Sequence, residues 1–104
     1  MKRYVLTRSA KRDLDEIWDY IATDNIEAAD RVIDALETAI LKLVKTPAMG
    51  HWREELADKR HRFFLVYSYL IVYRYEARPL QIVRILHAAR DVQNILNLTH
   101  DRSQ

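Results

Sequence analysis

Apolar residues in the first part of the chain recur with the period of an α-helix. Between Ser9 and Thr23 they stand three and four positions apart, along one side of a helix. They are Leu14, Ile17, Trp18 and Ile21. We expect Ser9 to cap this helix, because its side-chain oxygen can accept a hydrogen bond from a free backbone amide. Asp13 then falls in the first turn, where the helix dipole favours an acid, and the helix should end near Thr23.

A second helix is predicted to follow after only two or three residues. Asp24 and Glu27 have the spacing of a capping box, and an apolar stripe continues beyond them. The stripe consists of Ala29, Val32, Ile33, Leu36, Ile40 and Leu43. Pro47 lacks a backbone amide and Gly50 has backbone freedom, so both should end this helix. Because the connection is so short, the two helices must run antiparallel as a hairpin.

The pattern changes to that of β-strands in the last third of the chain. Residues 62–67, 70–75 and 80–87 are rich in β-branched and aromatic side chains, and the gaps between them are short enough for hairpins. These runs predict a three-stranded antiparallel meander. Residues 2–6 predict a further strand, whose neighbour in the sheet the pattern leaves open.

Packing the helical hairpin on one face of the meander would bury the apolar surfaces of both layers. The sequence therefore predicts an α+β domain with an N-terminal strand, an antiparallel helical hairpin and a C-terminal three-stranded antiparallel meander. A short final helix over residues 91–96 is a further expectation. We expect one domain over residues 1–97 and a frayed tail over residues 98–104.

Composition narrows the class of protein. A length of 104 residues suits a single domain. The absence of cysteine excludes a disulfide framework and a thiolate zinc site. The longest apolar run, residues 63–73, is shorter than the roughly 20 residues that a membrane span needs, and the N-terminus has no signal-peptide pattern. We therefore expect a soluble, cytoplasmic protein.

Positive charge is concentrated in the predicted sheet. The net charge is only +2, but seven basic residues and one acid, Glu76, lie between positions 59 and 90. The basic residues are Lys59, Arg60, Arg62, Arg74, Arg78, Arg84 and Arg90. Such a cluster favours contact with nucleic acid or with an acidic protein. The alternative is a set of ordinary solvated strand arginines.

Two of these arginines, Arg74 and Arg84, lie inside the predicted strands. Strict alternation along the last strand puts Ile82, Arg84 and Leu86 on one face and Val83, Ile85 and His87 on the other. An arginine in so apolar a strand needs either a water-facing surface or a partner that accepts its hydrogen bonds. For Arg84 the alternatives are therefore a partner molecule, an exposed strand position or an internal ion pair with an acid such as Glu55.

His87, at the end of the last predicted strand, is the main candidate for acid–base chemistry. The alternative, which we favour, is a histidine bonded to the backbone or to Asp91. The remaining histidines lack metal-ligand spacing with it, so no metal site is expected; they are His51, His61 and His100. A chain with one glycine cannot form a Gly-rich phosphate loop.

Five segments together resemble the ParE branch of the RelE/ParE toxin superfamily. They are KRDLDEIWDYIA (11–22), LVKTPAMG (43–50), REEL (53–56), RFFLVYSYLIVYR (62–74) and QIVRILHAARD (81–91). The resemblance covers residues 1–97, and its most specific pieces are YLIVYR (69–74) and IVRILHAARD (82–91).

The resemblance implies a toxin of a bacterial type II toxin–antitoxin pair that needs no cofactor. Its cognate antitoxin would combine a DNA-binding dimer domain with a C-terminal tail that is disordered when free and folds over the toxin, in a toxin–antitoxin hetero-oligomer. ParE-like toxins poison DNA gyrase without catalysing a reaction, whereas RelE-like relatives cleave mRNA on the ribosome. A degenerate member that only binds its antitoxin is a third possibility.

The branches imply different roles for the candidate residues. The ParE branch implies no catalytic residue and an inhibitory surface that contains Arg74, Arg84, His87 and Arg90. The RelE-like alternative would use Arg84 and His87 to cleave RNA. Ala88 directly after His87, and Ser68 and Tyr69 at the start of the middle strand, depart from the cleaving relatives and favour the non-catalytic branch.

Antitoxin contacts are expected on the helical hairpin and a sheet edge. Trp18, Tyr20 and Tyr73 are the candidates, on condition that they are exposed. The position of Trp18 on the apolar stripe also favours a place for it in the core.

Overall fold

The computed structural model describes residues 3–52 and 60–91, which contain two α-helices, one short 3₁₀ helix and four strands. In chain order these are β1 (Tyr4–Leu6), α1 (Arg8–Ala22), α2 (Ile26–Lys45), a short 3₁₀ helix (Pro47–Met49), β2 (His61–Val66), β3 (Tyr69–Arg74) and β4 (Leu80–His87). The helical hairpin packs on the sheet, and the predicted α+β fold class is confirmed. The final helix expected beyond residue 91, the domain limit at 97 and the tail from 98 lie outside the described residues.

The four strands form one mixed sheet in the order β1-β4-β3-β2. Strands β2, β3 and β4 pair antiparallel, as the meander prediction requires. Strand β1, whose neighbour the sequence left open, pairs parallel with β4, with Tyr4 opposite Leu80 and Leu6 opposite Ile82. β4 is therefore an inner strand at its start, while its second half, beyond Ile82, has no strand on the β1 side within the described residues.

The N-cap of helix α1 is Thr7 rather than Ser9. The Thr7 hydroxyl accepts a hydrogen bond from the Ala10 amide (3.0 Å) and donates one to the Val83 carbonyl (2.7 Å). The Thr7 amide also donates to the Ile82 carbonyl at 3.0 Å. The same residue thus caps α1 and fixes its start to β4, and Ser9 lies inside the first turn. The expected Ser9 cap is wrong because the tertiary contact with β4 decides where the helix starts.

The turn between the helices also ends later than predicted. The amides of Asp24 and Asn25 still donate to the Ile21 carbonyl, so the chain first becomes extended at Asn25, with a φ of −159°. The Asn25 side chain accepts a hydrogen bond from the Ala28 amide at 2.9 Å. Asn25 is therefore the cap of α2, and the capping box expected from Asp24 and Glu27 does not form.

The main core lies between the helices and the sheet, on the stripes that the sequence predicts. Its fully buried members include Ala10 of α1, Leu36, Ile40 and Leu43 of α2, and Ile71, Tyr73 and Ile82 of the sheet. A second buried cluster lies on the opposite face of the sheet and contains Phe63, Leu70, Val72 and Leu86. Neither α1 nor α2, the helices of the described ranges, has the length and apolar character needed to cross a membrane.

A β-bulge interrupts the alternation of β4. The register shifts between Val72 and Tyr73 of β3, so that Val83 is an extra residue in β4. Ile82 and Ile85, which strict alternation places on opposite faces, both lie in the helix-side core. The predicted alternation is therefore wrong beyond Ile82, because one inserted residue reverses the faces of those that follow.

The buried Tyr73 side chain joins the sheet to the segment after α2. Its hydroxyl accepts a hydrogen bond from the Gly50 amide (2.9 Å) and donates one to the Pro47 carbonyl (2.6 Å). A Cβ atom on Gly50 would lie 2.3 Å from the Tyr73 hydroxyl oxygen. The φ of Gly50 is −75°, which any residue adopts, so the expected need for backbone freedom is wrong. Glycine is required there by the close approach of the tyrosine.

The close approach predicts that Gly50→Ala destabilises the fold. The added methyl group must displace the Tyr73 ring or the 3₁₀ segment, and overpacking of this kind costs about 1 to 3 kcal/mol. Urea denaturation of the variant measures this loss. His51→Ala is the matched control, because His51 is exposed and its bonds to Phe63 come from the backbone. An equal loss in both variants would contradict the close-contact argument.

The burial of Tyr73 predicts a change of stability at alkaline pH. Burial raises the pKa of the Tyr73 phenol above its usual 10.0 because it disfavours the phenolate, against the opposing effects of the Gly50 hydrogen bond and the Arg62 charge. Above pH 10.0 the unfolded chain has lost a proton that the folded protein keeps, so the free energy of unfolding falls as the pH rises. Denaturation at increasing pH should show a shallower fall for Tyr73→Phe, whereas Tyr67→Phe, at an exposed position, should behave like the parent protein.

Candidate functional site

A cavity of about 250 Å³ opens between α1 and the ends of β3 and β4. Helix α1 lines one side with residues that share a helical face, namely Asp13, Glu16, Ile17 and Tyr20. The sheet and the turn after β4 supply the other side with Tyr69, Ile85, His87, Arg90 and Asp91. The cavity thus brings together three of the sequence-predicted site residues, Tyr20, His87 and Arg90. Arg74 lies on β3 and is not part of the lining.

The Asp13 carboxylate forms the floor of this site and binds β4. Its Oδ2 accepts hydrogen bonds from Arg84 Nε and from the Ile85 amide, both at 2.8 Å, and its Oδ1 accepts one from Arg84 Nη2 at 3.0 Å. The paired carboxylate and guanidinium form a two-bond fork, and the third bond occupies a backbone amide on the open side of β4. Asp13 therefore ties the middle of α1 to the second half of β4.

The role of Asp13 differs from the expected one. It lies well inside α1, where it is buried, and not in the first turn beside the helix dipole. The buried residues of α1 are Ala10, Asp13 and Ile17, which stand at helical spacing. An acid within the buried stripe of a helix is the signal that could have identified Asp13 as one half of an internal ion pair.

The expectation that Arg84 offers its guanidinium to a partner is wrong for this structure. The Arg84 side chain is 28% exposed and forms the bidentate pair with Asp13. The hydrogen bonds from Asp13 raise the pKa of Arg84, and burial opposes this effect. Of the alternatives left open by the sequence, the internal ion pair is the one that forms. Its acid is Asp13, and Glu55 lies outside the described residues.

His87 is bonded to the backbone, as the favoured alternative predicts. Its Nδ1 accepts hydrogen bonds from the amides of Ala89 (3.2 Å) and Arg90 (2.9 Å), so a neutral ring carries its proton on Nε2. The His87 amide donates to Asp91 Oδ2 at 2.8 Å. The imidazole ring is thereby fixed at the rim of the cavity and orders the turn that follows β4.

Tyr69 is a lining residue that the sequence analysis missed. It is only 7% exposed, and its ring meets the His87 ring edge to face with centroids 5.4 Å apart. Its hydroxyl has no hydrogen-bond partner among the residues that the structure describes. The oxygen itself is not among the buried polar atoms that lack a partner, so it keeps contact with solvent and can donate and accept further hydrogen bonds at the cavity. Its place on the helix-side face of β3 was the available signal, since it alternates with Leu70.

Several arginines of the predicted basic surface bind the protein itself. The Arg62 guanidinium lies between the rings of Trp52 (4.3 Å) and Tyr75 (4.4 Å) and donates to the Gly50 carbonyl at 2.8 Å. Arg78 donates to backbone carbonyls of the β3–β4 connection. Charge clustering in the sequence therefore overstates the basic surface that a partner can reach.

Of the predicted inhibitory surface, which consists of Arg74, Arg84, His87 and Arg90, the exposed members are Arg74 and Arg90. The Arg90 guanidinium lies 5.0 Å from the centroid of the Tyr20 ring, at the edge of the cavity. Within the ranges that the structure covers, no group of three or more His, Asp or Glu residues could hold a metal ion.

The three aromatic candidates for antitoxin contact differ in exposure. Tyr20 is 66% exposed and meets the condition set for it. Trp18 is half-buried, and its Nε1 donates to Asp30 Oδ1 on α2 at 2.9 Å. Tyr73 is fully buried, so it does not meet the condition of exposure and is no longer a candidate for antitoxin contact. Its place on the helix-covered face of the sheet explains the burial.

The Asp13–Arg84 pair predicts a large effect of a small substitution. Asp13→Asn keeps the shape of the side chain but removes the charge that Arg84 requires and turns an amide group toward donors. Breaking a buried pair costs about 3 to 5 kcal/mol; because Arg84 is partly solvated, we expect a loss of about 2 to 3 kcal/mol of unfolding free energy. Urea denaturation measures it. Asp15→Asn, an exposed change on the same helix, should stay within about 0.5 kcal/mol of the parent, and equal stability of both variants would contradict the role given to Asp13.

Comparisons with known proteins agree on one family. The family model described as the ParE toxin of the type II toxin-antitoxin system, parDE, matches residues 4–92. The chain is 34% identical over 95 residues to the protein named "Putative toxin Y4kP" of Sinorhizobium fredii, a match that covers 91% of this chain and 97% of the relative. It is 33% identical over 94 residues to "Toxin ParE1" of Caulobacter vibrioides, with 89% and 96% covered.

A solved structure described as the chromosomal ParDE TA system from P. aeruginosa has the same fold. The two chains superpose with a TM-score of 0.66 at 23% identity, over 81% of this chain and 92% of the other. At this identity the likeness shows the fold alone. The family model spans most of the chain, and both named relatives match nearly its whole length. The chain therefore belongs to the ParE toxin family of type II toxin–antitoxin systems.

Proposed function

We propose that this ParE-type toxin arrests growth by inhibiting DNA gyrase, without catalysing a reaction, and that a cognate antitoxin neutralises it in a hetero-oligomer. Membership of the ParE family supports the class of function. The choice between gyrase inhibition and RNA cleavage rests on the geometry of two residues, Arg84 and His87.

The proposal rests on the hydrogen bonds that Arg84 and His87 already make within the protein. Cleavage of RNA by in-line attack needs a group that accepts a proton and a cation that stabilises charge on the phosphate. The Arg84 guanidinium is taken up by Asp13. His87 Nδ1 is taken up by two backbone amides, so its neutral ring has no nitrogen lone pair left for a hydroxyl proton. This arrangement favours the non-catalytic branch over the mRNA endonuclease.

The proposed target contacts follow from exposure. Arg74 and Arg90 are exposed cations, and His87 lies beside Arg90 at the cavity rim. Arg84 then contributes without touching the target, by holding Asp13 and the end of β4 in place. For the antitoxin we propose contact with the helical hairpin through the exposed Tyr20. The half-buried Trp18 lies two positions earlier, on a different side of the same helix.

Purified toxin should block supercoiling by DNA gyrase and trap cleaved DNA. The double variant Arg74→Ala/Arg90→Ala should weaken this inhibition about tenfold, because exposed charge contacts each contribute about 1 kcal/mol or less. The matched control is Arg31→Ala/Lys42→Ala, which removes two exposed cations from α2 and should inhibit like the parent. Supercoiling that continues unimpaired in the presence of the parent toxin would contradict the proposal.

Cell-free translation separates the alternatives in the same series. The proposal requires that mRNA stays intact on ribosomes that receive the toxin. Cleavage at codon boundaries that disappears with His87→Ala would establish the endonuclease instead. Normal growth of cells that express the toxin alone would point to a degenerate member of the family.

A further inference from the structure

We propose that the cavity between α1 and the end of β4 is a receptor for one basic side chain, a lysine or an arginine, that a partner protein inserts. The claim about the cation rests on the cavity alone, whereas the claim that a neutralising protein supplies it rests on the proposed function. Neither His87 nor Arg84 needs to act as a catalytic group for this role.

The charge of the lining favours a cation. Three carboxylates line the cavity, those of Asp13, Glu16 and Asp91. Two guanidinium groups oppose them, that of Arg90 in the lining and that of Arg84, which is paired with Asp13 behind it. One negative charge is therefore in excess around a half-enclosed space, where water screens it less than on an open surface. A phosphate or carboxylate guest would meet Glu16 and Asp91 at close range.

Two polar groups of the cavity are available to a guest. The Glu16 carboxylate is exposed at the rim and has no hydrogen-bond partner among the described residues, in contrast to Asp13, which already accepts three hydrogen bonds. The hydroxyl of the nine-tenths buried Tyr69 is likewise without a partner in that part of the chain. Both oxygens can accept from an ammonium or guanidinium N–H, so a cation would satisfy both.

The size and the aromatic walls fit a side chain rather than a larger ligand. Small-molecule sites usually enclose about 300 to 1,000 Å³, and this cavity is smaller, at about 250 Å³. The rings of Tyr20 and Tyr69 line it together with Ile17, which suits the alkyl stem and the charged end of a basic residue. This chain already places a guanidinium over Tyr20, that of Arg90.

Capped amino acids provide a direct test on the whole toxin. Nα-acetyl-lysine methylamide and Nα-acetyl-arginine methylamide should bind with dissociation constants on the order of 1 to 10 mM, as expected for one side chain. Amide NMR shifts should change at Tyr69, at His87 and along the Glu16 face of α1. Nα-acetyl-norleucine methylamide, which has the stem without the charge, and inorganic phosphate should leave these shifts unchanged.

Two conservative variants test the proposed hydrogen-bond acceptors, the Glu16 carboxylate and the Tyr69 hydroxyl. Glu16→Gln should weaken binding of the lysine probe about fivefold and Tyr69→Phe about threefold, because each removes one acceptor of the cation. Glu37→Gln and Tyr67→Phe are the matched controls, since both positions are exposed and lie outside the cavity lining. A thermal melt that is equal for each pair shows that the loss of binding does not come from unfolding.

Binding of the antitoxin tests separately whether a partner protein supplies the cation. Glu16→Lys, which places a fixed cation at the rim, should weaken binding of the cognate antitoxin at least about tenfold, and Glu37→Lys should not. Probe binding together with unchanged antitoxin affinity would overturn the partner claim and leave the cation site. Phosphate binding, equal binding of the norleucine probe, or equal effects of Glu16→Gln and Glu37→Gln would overturn the cation site itself. Failure to inhibit gyrase would alter none of these results, so the two proposals fail separately.

Discussion

The three hydrogen bonds that the Asp13 carboxylate accepts hold the two layers of this protein together at one point. Strand β1 covers only the first part of β4, and the rest of that edge needs another partner for its backbone. Asp13 supplies it by accepting from the Ile85 amide, and the same carboxylate fixes the Arg84 side chain. The Asp13 side chain of α1 thus accepts a backbone hydrogen bond from β4 beyond the point where pairing with β1 ends. A buried carboxylate is stable in such a place only because three donors compensate its charge.

The cavity is a consequence of this arrangement. Because Asp13 holds α1 at the level of Ile85, the next turn of the helix, with Glu16 and Tyr20, stands opposite the end of β4 and the turn that follows it. His87 orders this turn. Its Nδ1 accepts hydrogen bonds from two backbone amides, and its own amide donates one to the Asp91 carboxylate. Of the two residues that the sequence suggests for catalysis, His87 lines the cavity and Arg84 binds Asp13, which forms its floor. The proposed contacts with partners use Glu16 and Tyr69 of the lining and Arg90 at its edge.

The sequence predicted the elements well because their signals are local. Helical spacing of apolar residues and runs of β-branched residues located both helices and all four strands, and the short connection between the helices required a hairpin. What it could not predict depends on contacts between distant parts of the chain. The cap moved to Thr7 because β4 binds that residue, and the alternation of β4 failed because a bulge at Val83 has no signature in residue type. For the site, the sequence identified the segment around His87. It could not identify Asp13 as the partner of Arg84, because the two residues are 71 positions apart. The role of Tyr69 likewise depends on its contact with His87 across the sheet.

The place of β4 in the sheet also bears on how the protein comes into being. β4 is the last strand of the described chain, yet it lies between β1 and β3 and supplies the partners of Thr7 and Asp13. The helical hairpin is synthesised before these partners, and until they are available its apolar stripes have no complete sheet to cover. Contacts this far apart in sequence form late and slow the folding of a domain. The cavity of a toxin with this topology therefore forms only after β4 and the turn that follows it have been translated.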